Sequence, residues 1–548
     1  AKGEIKNLEK VLEPVNDAYM GIGHTRWATH GKPNEINAHP HVSEDNEWAL
    51  VHNGIIENYA EIKEDLLKQG MSFYSQTDTE TVANLLQYYN SDDGLETLEK
   101  TISAIKGSYG FAILKKNDKR VYFAKNKSPL YVAVTENSAI IASDIICFGD
   151  LATEYYVIED GEFGYVEKGK AVIKNKFGFV KKAPVKLEHI DDVSENVYDH
   201  FMIKEIYETL PALKNNYEYY SIDENLKNLY ALDMKKFNKT VFVGCGTAYH
   251  ACLFGAQFFR EKLDVDCFTE VASEFRYSHP KIDEHTLVIL VSQSGETADT
   301  LAALEISKNH GATTLAIVNV EYSTLASLSD IYLPIKAGVE VAVASTKAYS
   351  AQIATLYVAA LALKAAADGE KADVEELHRL VKEFDFGTTD LYKELAETLR
   401  YQQKIFMIGR GRDYYSANEA SLKIKETCYI NSDTYYAGEL KHGFLALIDE
   451  MTYVVVFATQ RDVLSKVLCN AEEAYSRGAR LILFTCFSDI DRSFLDKCEF
   501  VIKVKDTKNG LQAIENIVPW QFIAYYTSVN KGINPDKPRN LAKSVTVE

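Results

Sequence analysis

Ser292-Gln293-Ser294-Gly295-Glu296-Thr297 follows an apolar run, Thr286-Leu-Val-Ile-Leu-Val291, and precedes an Ala/Leu-rich helical pattern from Ala298 to Lys308. A strand, a tight polar turn and a helix N-terminus make an anion site, because free backbone N–H groups and the positive end of the helix dipole converge on one spot. The hydroxyls of Ser292, Ser294 and Thr297 add donors, and Gly295 lets the backbone come close. No Lys follows in the Walker A position, which argues against a nucleoside triphosphate. A monophosphate, such as a sugar phosphate, fits better. An ordinary N-cap turn built from Ser and Thr carries the same local signature.

Outward from this turn, strands and helices alternate from Thr240 onward, the pattern of a parallel, doubly wound α/β sheet. The pattern is duplicated. Val241-Phe-Val-Gly-Cys-Gly246 matches Ile405-Phe-Met-Ile-Gly-Arg-Gly411, and Ala272-Ser-Glu-Phe275 and Ala437-Gly-Glu-Leu440 each begin 26 residues after the last glycine of their run. Counting on from the same glycines, Ser292 lies at 46 residues and Thr459 at 48, and the β runs Thr314–Val320 and Leu481–Phe487 follow. Two repeats of an α/β unit of about 140 residues account for this spacing. Before them, Gly107–Leu114, Arg120–Ala124, Leu130–Val134 and Ala139–Ser143 read as short strands, interrupted by helical patterns at Tyr59–Gln69 and Asp78–Tyr89. That is an α+β domain with mainly antiparallel pairing. The predicted organisation is an α+β domain at 1–186, a helical connector packing between domains at 187–227, α/β repeats at 228–380 and 381–532, and a C-terminal tail at 533–548.

The chain has 548 residues and a net charge of −19, with a pI of about 5.3. Its acidity argues against nucleic acid and anionic membranes as partners; solubility is its simplest meaning. No apolar run reaches the roughly 18 residues that span a bilayer. The richest segment, Ala354 to Ala367, contains Lys364 and reads as a buried helix. The eight cysteines form no CxxC pair and read as reduced core thiols of a cytoplasmic protein. No metal-ligand cluster and no nucleotide fingerprint is present, so neither metal nor cofactor is expected.

Three clusters stand out in the first domain. His24-Thr-Arg26-Trp27-Ala-Thr29-His30-Gly31 places a cation and several hydrogen-bonding groups in a β-like run. His52-Asn53-Gly54 reads as a turn after the strand Trp48–Val51, although an Asn amide and a Gly N–H can also form an oxyanion hole. Ser75-Gln-Thr77-Asp78-Thr-Glu80 opens a helix, with Asp78 either a cap residue or a ligand for an ammonium group. Together, HTRWATHG, HNGIIENY and SQTDTE resemble the glutaminase half of the glutamine:fructose-6-phosphate amidotransferase (isomerizing) family. The resemblance continues through CGT, SQSGETADT, VASTKA, the ELKHG region and PRNLAKSVTVE, and so covers essentially the whole chain.

The resemblance implies an N-terminal-nucleophile-type glutaminase domain followed by two sugar-isomerase (SIS-type) domains. Arg26 would hold the glutamine carboxylate and Asp78 its α-ammonium. Asn53 and Gly54 would form the oxyanion hole, Thr29 and His30 would line the pocket, and Trp27 would gate an ammonia channel. The family's nucleophile is an N-terminal Cys, whereas residue 1 here is Ala and Cys147 is internal. The chain therefore reads as a fragment, expected as given not to hydrolyse glutamine.

In the second half, Cys245, Gly246, Thr247, Ser292, Gln293, Ser294 and Thr297 would cradle the phosphate of fructose 6-phosphate, with Val343, Ser345 and Ala542 contacting the sugar. Ser345 and Thr346 read equally as helix caps. Ala248 stands where the family often has Ser, and Phe444 where it often has Pro. Glu419, Lys423 and Glu426 share one helix face at i, i+4, i+7; spacing alone suits a surface ladder of ion pairs, but the neighbouring Ala420-Ser-Leu is short of charge. The resemblance makes Glu426 the proton shuttle between C1 and C2, with Lys423 nearby. His442 would open the sugar ring from a neighbouring subunit of a homodimer. Lys543 would be the Schiff-base lysine, made reactive by burial near other cations. The expected activity is formation of glucosamine 6-phosphate from fructose 6-phosphate with ammonia from glutamine. The alternatives are a sugar-phosphate-binding regulator, which needs no Glu426, His442 or Lys543, and an isomerase or deglycase of another phosphosugar, which needs no HTRWATHG half.

Overall fold

A computed structural model describes residues 5–12, 18–25, 34–187, 198–263, 265–278, 280–507 and 510–545. Two compact units divide the chain, the first formed mainly by Ala1–Glu195 and the second by Asn196–Val545.

The first unit is antiparallel, as its short β-rich runs imply. One sheet runs His41–Val42, Trp48–Ile56, Gly107–Lys115, Val121–Asn126, Phe163–Glu167, Lys170–Asn175, Gly178–Val180, and a second runs Val185–Lys186, Glu154–Val157, Tyr131–Val134, Ala139–Ala142. Helices Tyr59–Lys68 and Thr79–Tyr88 fall where the periodicity puts them, and Gly94–Ala104 is an additional helix capped by the Asp93 carboxylate, which accepts the Leu95 N–H at 3.1 Å. Trp48, Leu50, Val82, Leu86, Leu98 and Phe111 fill the space between helices and sheet.

His52-Asn53-Gly54 is not a turn. It lies inside the nine-residue strand Trp48–Ile56, paired with Phe111, Gly110 and Tyr109 of Gly107–Lys115. A partner strand some fifty residues away outweighs the local turn preference of Asn-Gly. Gly54 is required there for another reason: its φ is +139° and an added Cβ would sit 2.0 Å from the Ser108 carbonyl oxygen.

The second unit holds two five-stranded parallel sheets of identical topology. From edge to edge the first is Asp266–Val271, Lys239–Gly244, Thr286–Ser292, Thr313–Val318, Ile331–Pro334; the second is Asn431–Tyr436, Lys404–Gly409, Tyr453–Ala458, Arg480–Thr485, Cys498–Lys503. In each, the first strand in sequence lies second from one edge, and the chain reverses direction across the sheet between it and the central strand. That reversal opens a crevice at the strands' carboxyl ends, where ligands of such sheets bind. The register Val243↔Leu290 in one sheet and Ile408↔Val456 in the other makes Ser292 equivalent to Ala458. Thr459, matched to Ser292 by counting, is therefore one residue out of step and corresponds to Gln293.

Helices Phe201–Tyr207 and Thr209–Tyr220 place Met202, Ile206 and Leu213 in the same core as Ile353 and Leu356 of the first repeat and Phe522 and Ile523 of the second. They thus belong to the body of this unit. The Ala-rich segment is the helix Lys347–Asp368, almost wholly buried and stopped by Gly369 at φ 74°. Among the described residues it is the one helix long and apolar enough to cross a membrane, and most of that stretch is buried inside the protein, as expected of a core helix.

Candidate active site

The opening turn is held in shape by hydrogen bonds of its own side chains. Ser292 ends its strand, its Oγ accepts the Gly295 N–H at 3.0 Å, and it lies 3.2 Å from Thr297 Oγ1. Thr297 occupies the N-cap position of helix Ala298–Asn309 without making a side-chain cap bond, so the ordinary capping reading fails. The Glu296 carboxylate closes the turn by accepting the Thr324 N–H at 2.7 Å. The C-terminal segment crosses this turn: Ser294 Oγ and Ser544 Oγ are 3.0 Å apart, and Ala298 N–H donates to the Val545 carbonyl at 3.0 Å. Lys543 is thereby anchored next to the Ser292–Thr297 turn.

Cys245 and Gly246 begin the helix Gly246–Leu263, with Gly246 at φ 53°. Burial pushes the Cys245 thiol up, so it stays a neutral lining group. Thr247 faces elsewhere as well: its Oγ1 donates to Glu419 Oε1 at 3.0 Å and accepts from Lys423 Nζ at 3.1 Å. Glu419, Lys423 and Glu426 lie on helix Arg412–Cys428, and Lys423 Nζ is 3.3 Å from Glu419 and 2.8 Å from Glu426. Glu419 and Lys423 side chains are 0% exposed, which excludes the surface ladder. Burial alone would raise the Glu419 carboxyl and lower the Lys423 amine. Their mutual attraction, with His250 and Thr247 on Glu419 and with Glu426 on Lys423, wins in both cases, holding Glu419 down and Lys423 up. His250, with Nδ1 2.7 Å from Glu419 Oε2, escaped the sequence reading. Its signal was its place one turn into the helix that starts at Cys245-Gly-Thr.

Lys543 meets a carboxylate, not the cations expected. Its Nζ is ion-paired with Oε2 of Glu340, which heads the Glu340–Lys347 stretch. Ser345 Oγ donates to the same carboxyl at 3.0 Å, and the Thr346 and Ala348 N–H groups donate to Oε1 at 2.9 and 3.1 Å. Glu340 is therefore the cap of helix Lys347–Asp368, a role that Ser345 and Thr346 do not take. Burial would raise this carboxyl, but Lys543 and the two N–H groups outweigh it and hold it at about 2. Val343 N–H donates to the Asp536 carbonyl at 3.0 Å, while the Asp536 carboxylate accepts the Phe201 and Met202 N–H groups at 2.9 and 2.7 Å. Loop, tail and the helix Phe201–Tyr207 are thus tied together. The main chain of Gln293 accepts from Asn319 N–H at 3.1 Å, and Ala542 is half-buried between Leu541 and Lys543.

His442 ends the single turn Ala437–His442 and is exposed. Among the described residues it makes no bond to Glu426 or Lys543. Phe444 is core: its ring centroid lies 4.6 Å from those of Phe406 and Tyr435, a contact that a proline would lack.

In the first unit, Arg26, Trp27, Thr29 and His30 lie outside the described residues. Asn53 Oδ1 is 2.7 Å from His24 Nε2. Asp78 is buried and does not cap its helix; its Oδ2 accepts the Ile56 N–H at 2.8 Å. That bond holds the SQTDTE segment beside the strand carrying Asn53 and Gly54. Burial lowers His52, against the pull of the Asp78 carboxylate.

An antiparallel α+β unit preceding a duplicated α/β unit is the architecture of a glutamine amidotransferase domain joined to two sugar-isomerase-type domains. In agreement, the glutamine amidotransferase domain family matches residues 24–150 and the SIS domain family matches 233–362 and 398–531. The chain is 40% identical over 565 residues to a glutamine–fructose-6-phosphate aminotransferase [isomerizing] of Caldanaerobacter subterraneus subsp. tengcongensis, spanning 100% of this chain and 92% of the relative. It is likewise 40% identical over 567 residues to the enzyme of that name from Staphylococcus aureus, with the same coverage. Among solved structures, the C-terminal domain of glucosamine-fructose-6-phosphate aminotransferase from Francisella tularensis matches with 32% identity and a TM-score of 0.57, covering 63% of this chain and 100% of that one. A glucosamine-6-phosphate deaminase from Thermotoga maritima matches with 25% identity and a TM-score of 0.52, covering 64% and 100%. The chain belongs to the glutamine–fructose-6-phosphate aminotransferase (isomerizing) family.

Proposed function

We propose that this chain makes glucosamine 6-phosphate from fructose 6-phosphate, using ammonia released from glutamine. The observation that carries the reading is the ion-paired Glu419–Lys423–Glu426 cluster, with Glu419 and Lys423 buried and bonded to Thr247 and Glu426 half-buried. Two buried ionisable groups paired with a third, partly exposed carboxylate are what proton transfer on a bound phosphosugar needs.

In this reading Ser292, Gln293, Ser294, Thr297, Gly246 and Cys245 hold the phosphate, and Val343, Ser345 and Ala542 border the sugar. His442, exposed in a single chain, acts on the sugar held by a second copy of the chain, so the working unit is a homodimer. It opens the ring by moving the proton of the C2 hydroxyl to the ring oxygen. Neutral Lys543 then adds to the C2 carbonyl and water leaves, giving an imine. Ammonia adds to C2 and displaces the lysine amine. Glu426 takes the C1 proton and returns it to C2, with Lys423 steadying the carboxylate, and the product is the 2-amino aldose. In the first unit Arg26 and Asp78 bind the two ends of glutamine, Asn53 and Gly54 stabilise the oxyanion, Thr29 and His30 line the pocket, and Trp27 controls ammonia passage. Eight free thiols suit a reducing cytoplasm, and the net charge of −19 suits small-molecule substrates rather than nucleic acid or membrane surfaces.

Supplying an ammonium salt in place of glutamine tests the sugar-phosphate half by itself. Glucosamine 6-phosphate should form, and Lys543→Ala should abolish its formation while fructose 6-phosphate still binds. Binding without turnover in the unaltered chain would instead identify a sugar-phosphate-binding regulator.

A further inference from the structure

The second repeat holds a crevice that the reaction above does not use. A cavity of about 430 Å³ opens at the carboxyl ends of Lys404–Gly409 and Tyr453–Ala458, beside the first turns of helices Arg412–Cys428 and Gln512–Asn530 and beside Phe254 of the first repeat. It is the counterpart of the crevice at Ser292–Thr297, and the correspondence extends to the helices. Gly246 and Gly411 stand at the start of equivalent helices, both at φ 53°. Glu419, Lys423 and Glu426 follow Gly411 by 8, 12 and 15 residues, and Phe254, Phe258 and Glu261 follow Gly246 by the same steps. Thr247 bonds to Glu419 and Lys423, and its counterpart Arg412 pairs with Glu261 at 3.5 Å. Each crevice therefore meets the helix of the other repeat, but the buried carboxylate and ammonium beside one are phenylalanines beside the other. Phenylalanine moves no proton, so the second crevice can hold a ligand without transforming it.

The lining also selects against a phosphate. Counting on from the equivalence of Ser292 and Ala458, Gln460 and Val463 replace Ser294 and Thr297, so the hydroxyls of the first turn are missing. The backbone donors are taken by the protein itself: Asp413 Oδ2 accepts the Thr459 N–H at 2.9 Å, and Gln460 Oε1 accepts the Arg412 N–H at 3.3 Å. A carboxylate thus stands where a helix N-terminus would otherwise receive an anion. Arg461 is engaged by both oxygens of Asp489, at 2.9 and 3.0 Å, as Arg412 is by Glu261. Asp462 and Asp506 then add carboxylates at the mouth, with Gln512 and the rings of Phe254 and Phe487 completing the wall. Carboxylates outnumber guanidinium groups, and the field of the crevice favours a cation. We propose that this crevice is a second, non-catalytic site for an unphosphorylated amino sugar, its ammonium drawn to Asp462 and Asp506 and its ring covered by Phe254 and Phe487. The cavity lies within the range of small-molecule pockets, about 300–1,000 Å³, and has room for one monosaccharide.

The test is calorimetric titration of the full chain with glucosamine at about pH 6, where its amine carries a proton, with excess fructose 6-phosphate present to fill the first crevice. Glucosamine should bind. Glucose, which lacks the charge, and inorganic phosphate should each bind at least about tenfold more weakly. Asp462 and Asp506 are exposed, so replacing both by Asn should leave the fold intact. That double variant should weaken glucosamine by about tenfold or more while ammonia-driven turnover is unchanged, and either single variant serves if the pair does not fold. Failure of glucosamine to bind, equal affinity for glucose, tighter binding of phosphate, or an unaltered affinity in the variants overturns the proposal. Binding that appears only when fructose 6-phosphate is left out overturns it as well, since it would put glucosamine in the first crevice. A chain that binds glucosamine in this charge-dependent way but makes no glucosamine 6-phosphate would overturn the proposed function and support the second site, which separates the two failures.

Discussion

Nδ1 of His250 stands 2.7 Å from Oε2 of Glu419, joining the first α/β repeat to the second. Glu419 is fully buried and also accepts from Thr247 and Lys423, so His250 completes the set of donors around an ion that has no water to turn to. Replacing His250 by Phe should leave one carboxylate oxygen short of a donor, at a loss of about 1–3 kcal/mol. His250→Gln, which can still donate, should recover most of it. Urea unfolding of the two variants compares them directly, and equal midpoints would show that the bond carries no weight.

Among the described residues, Lys423 is the one cation bonded to both Glu419 and Glu426. Lys423→Met should leave the buried Glu419 carboxylate without its ammonium partner and facing Glu426, and destabilise the chain by about 3–5 kcal/mol. Adding Glu419→Gln removes one of the two charges, so the double variant should be more stable than the single one. Thermal unfolding measures the difference, and ammonia-driven turnover should be lost in both.

The parallel sheets were legible because strands buried on both faces read as unbroken apolar runs, such as Leu287–Val291, and because the second repeat restates the first. The helix that carries Glu419, Lys423 and Glu426 was legible as a spacing, though the burial of Glu419 and Lys423 was not. What stayed hidden is non-local. Glu340 and Lys543 are 203 residues apart and His250 and Glu419 are 169 apart, and no local pattern announces either pair. His52-Asn53-Gly54 misled in the opposite direction, since Asn-Gly is a strong turn signal and the pairing that overrides it is supplied by Gly107–Lys115. Asp78 looked like a helix cap because of its position, yet its carboxylate is used by Ile56 N–H.

Two buried carboxyls should give opposite pH dependences. Glu515 is pushed up to about 8 by burial, Lys505 opposing, and its Oε1 has no hydrogen-bond partner among the described residues. Its folded value exceeds the unfolded one, so its contribution is full below about pH 4 and is lost as pH rises towards 8. Glu340, held at about 2, behaves in reverse: its contribution is full above about pH 5 and is lost as pH falls towards 2. Glu515→Gln should therefore match the wild type near pH 5 and exceed it by about 3 kcal/mol at pH 8. Glu340→Gln should lose more stability at pH 7 than at pH 3. Denaturant unfolding across pH 3–8 checks both, and parallel curves for either variant and the wild type would refute the corresponding assignment.

Gly295 offers the sharpest test of the cradle. It has a φ of +69°, and a Cβ added there would lie 2.0 Å from Ser323 Oγ and 2.4 Å from Ser323 Cβ. Gly246, at φ +53°, has nothing within 4 Å of the same added atom. Backbone strain is common to the two positions, at about 1 kcal/mol, but only Gly295→Ala must displace a neighbour. That neighbour, Ser323, caps the short helix Thr324–Leu328 through the Ala326 N–H, so displacing it distorts the turn that holds Ser292, Ser294 and Thr297. Gly295→Ala should weaken fructose 6-phosphate binding by at least about tenfold, or about 1.4 kcal/mol, and Gly246→Ala by less. Combining Gly295→Ala with Ser323→Gly removes both clashing atoms and should return affinity towards that of Gly246→Ala. Calorimetric titration of the three variants separates clash from strain, and an unrestored double variant would mean that the phosphate is held elsewhere.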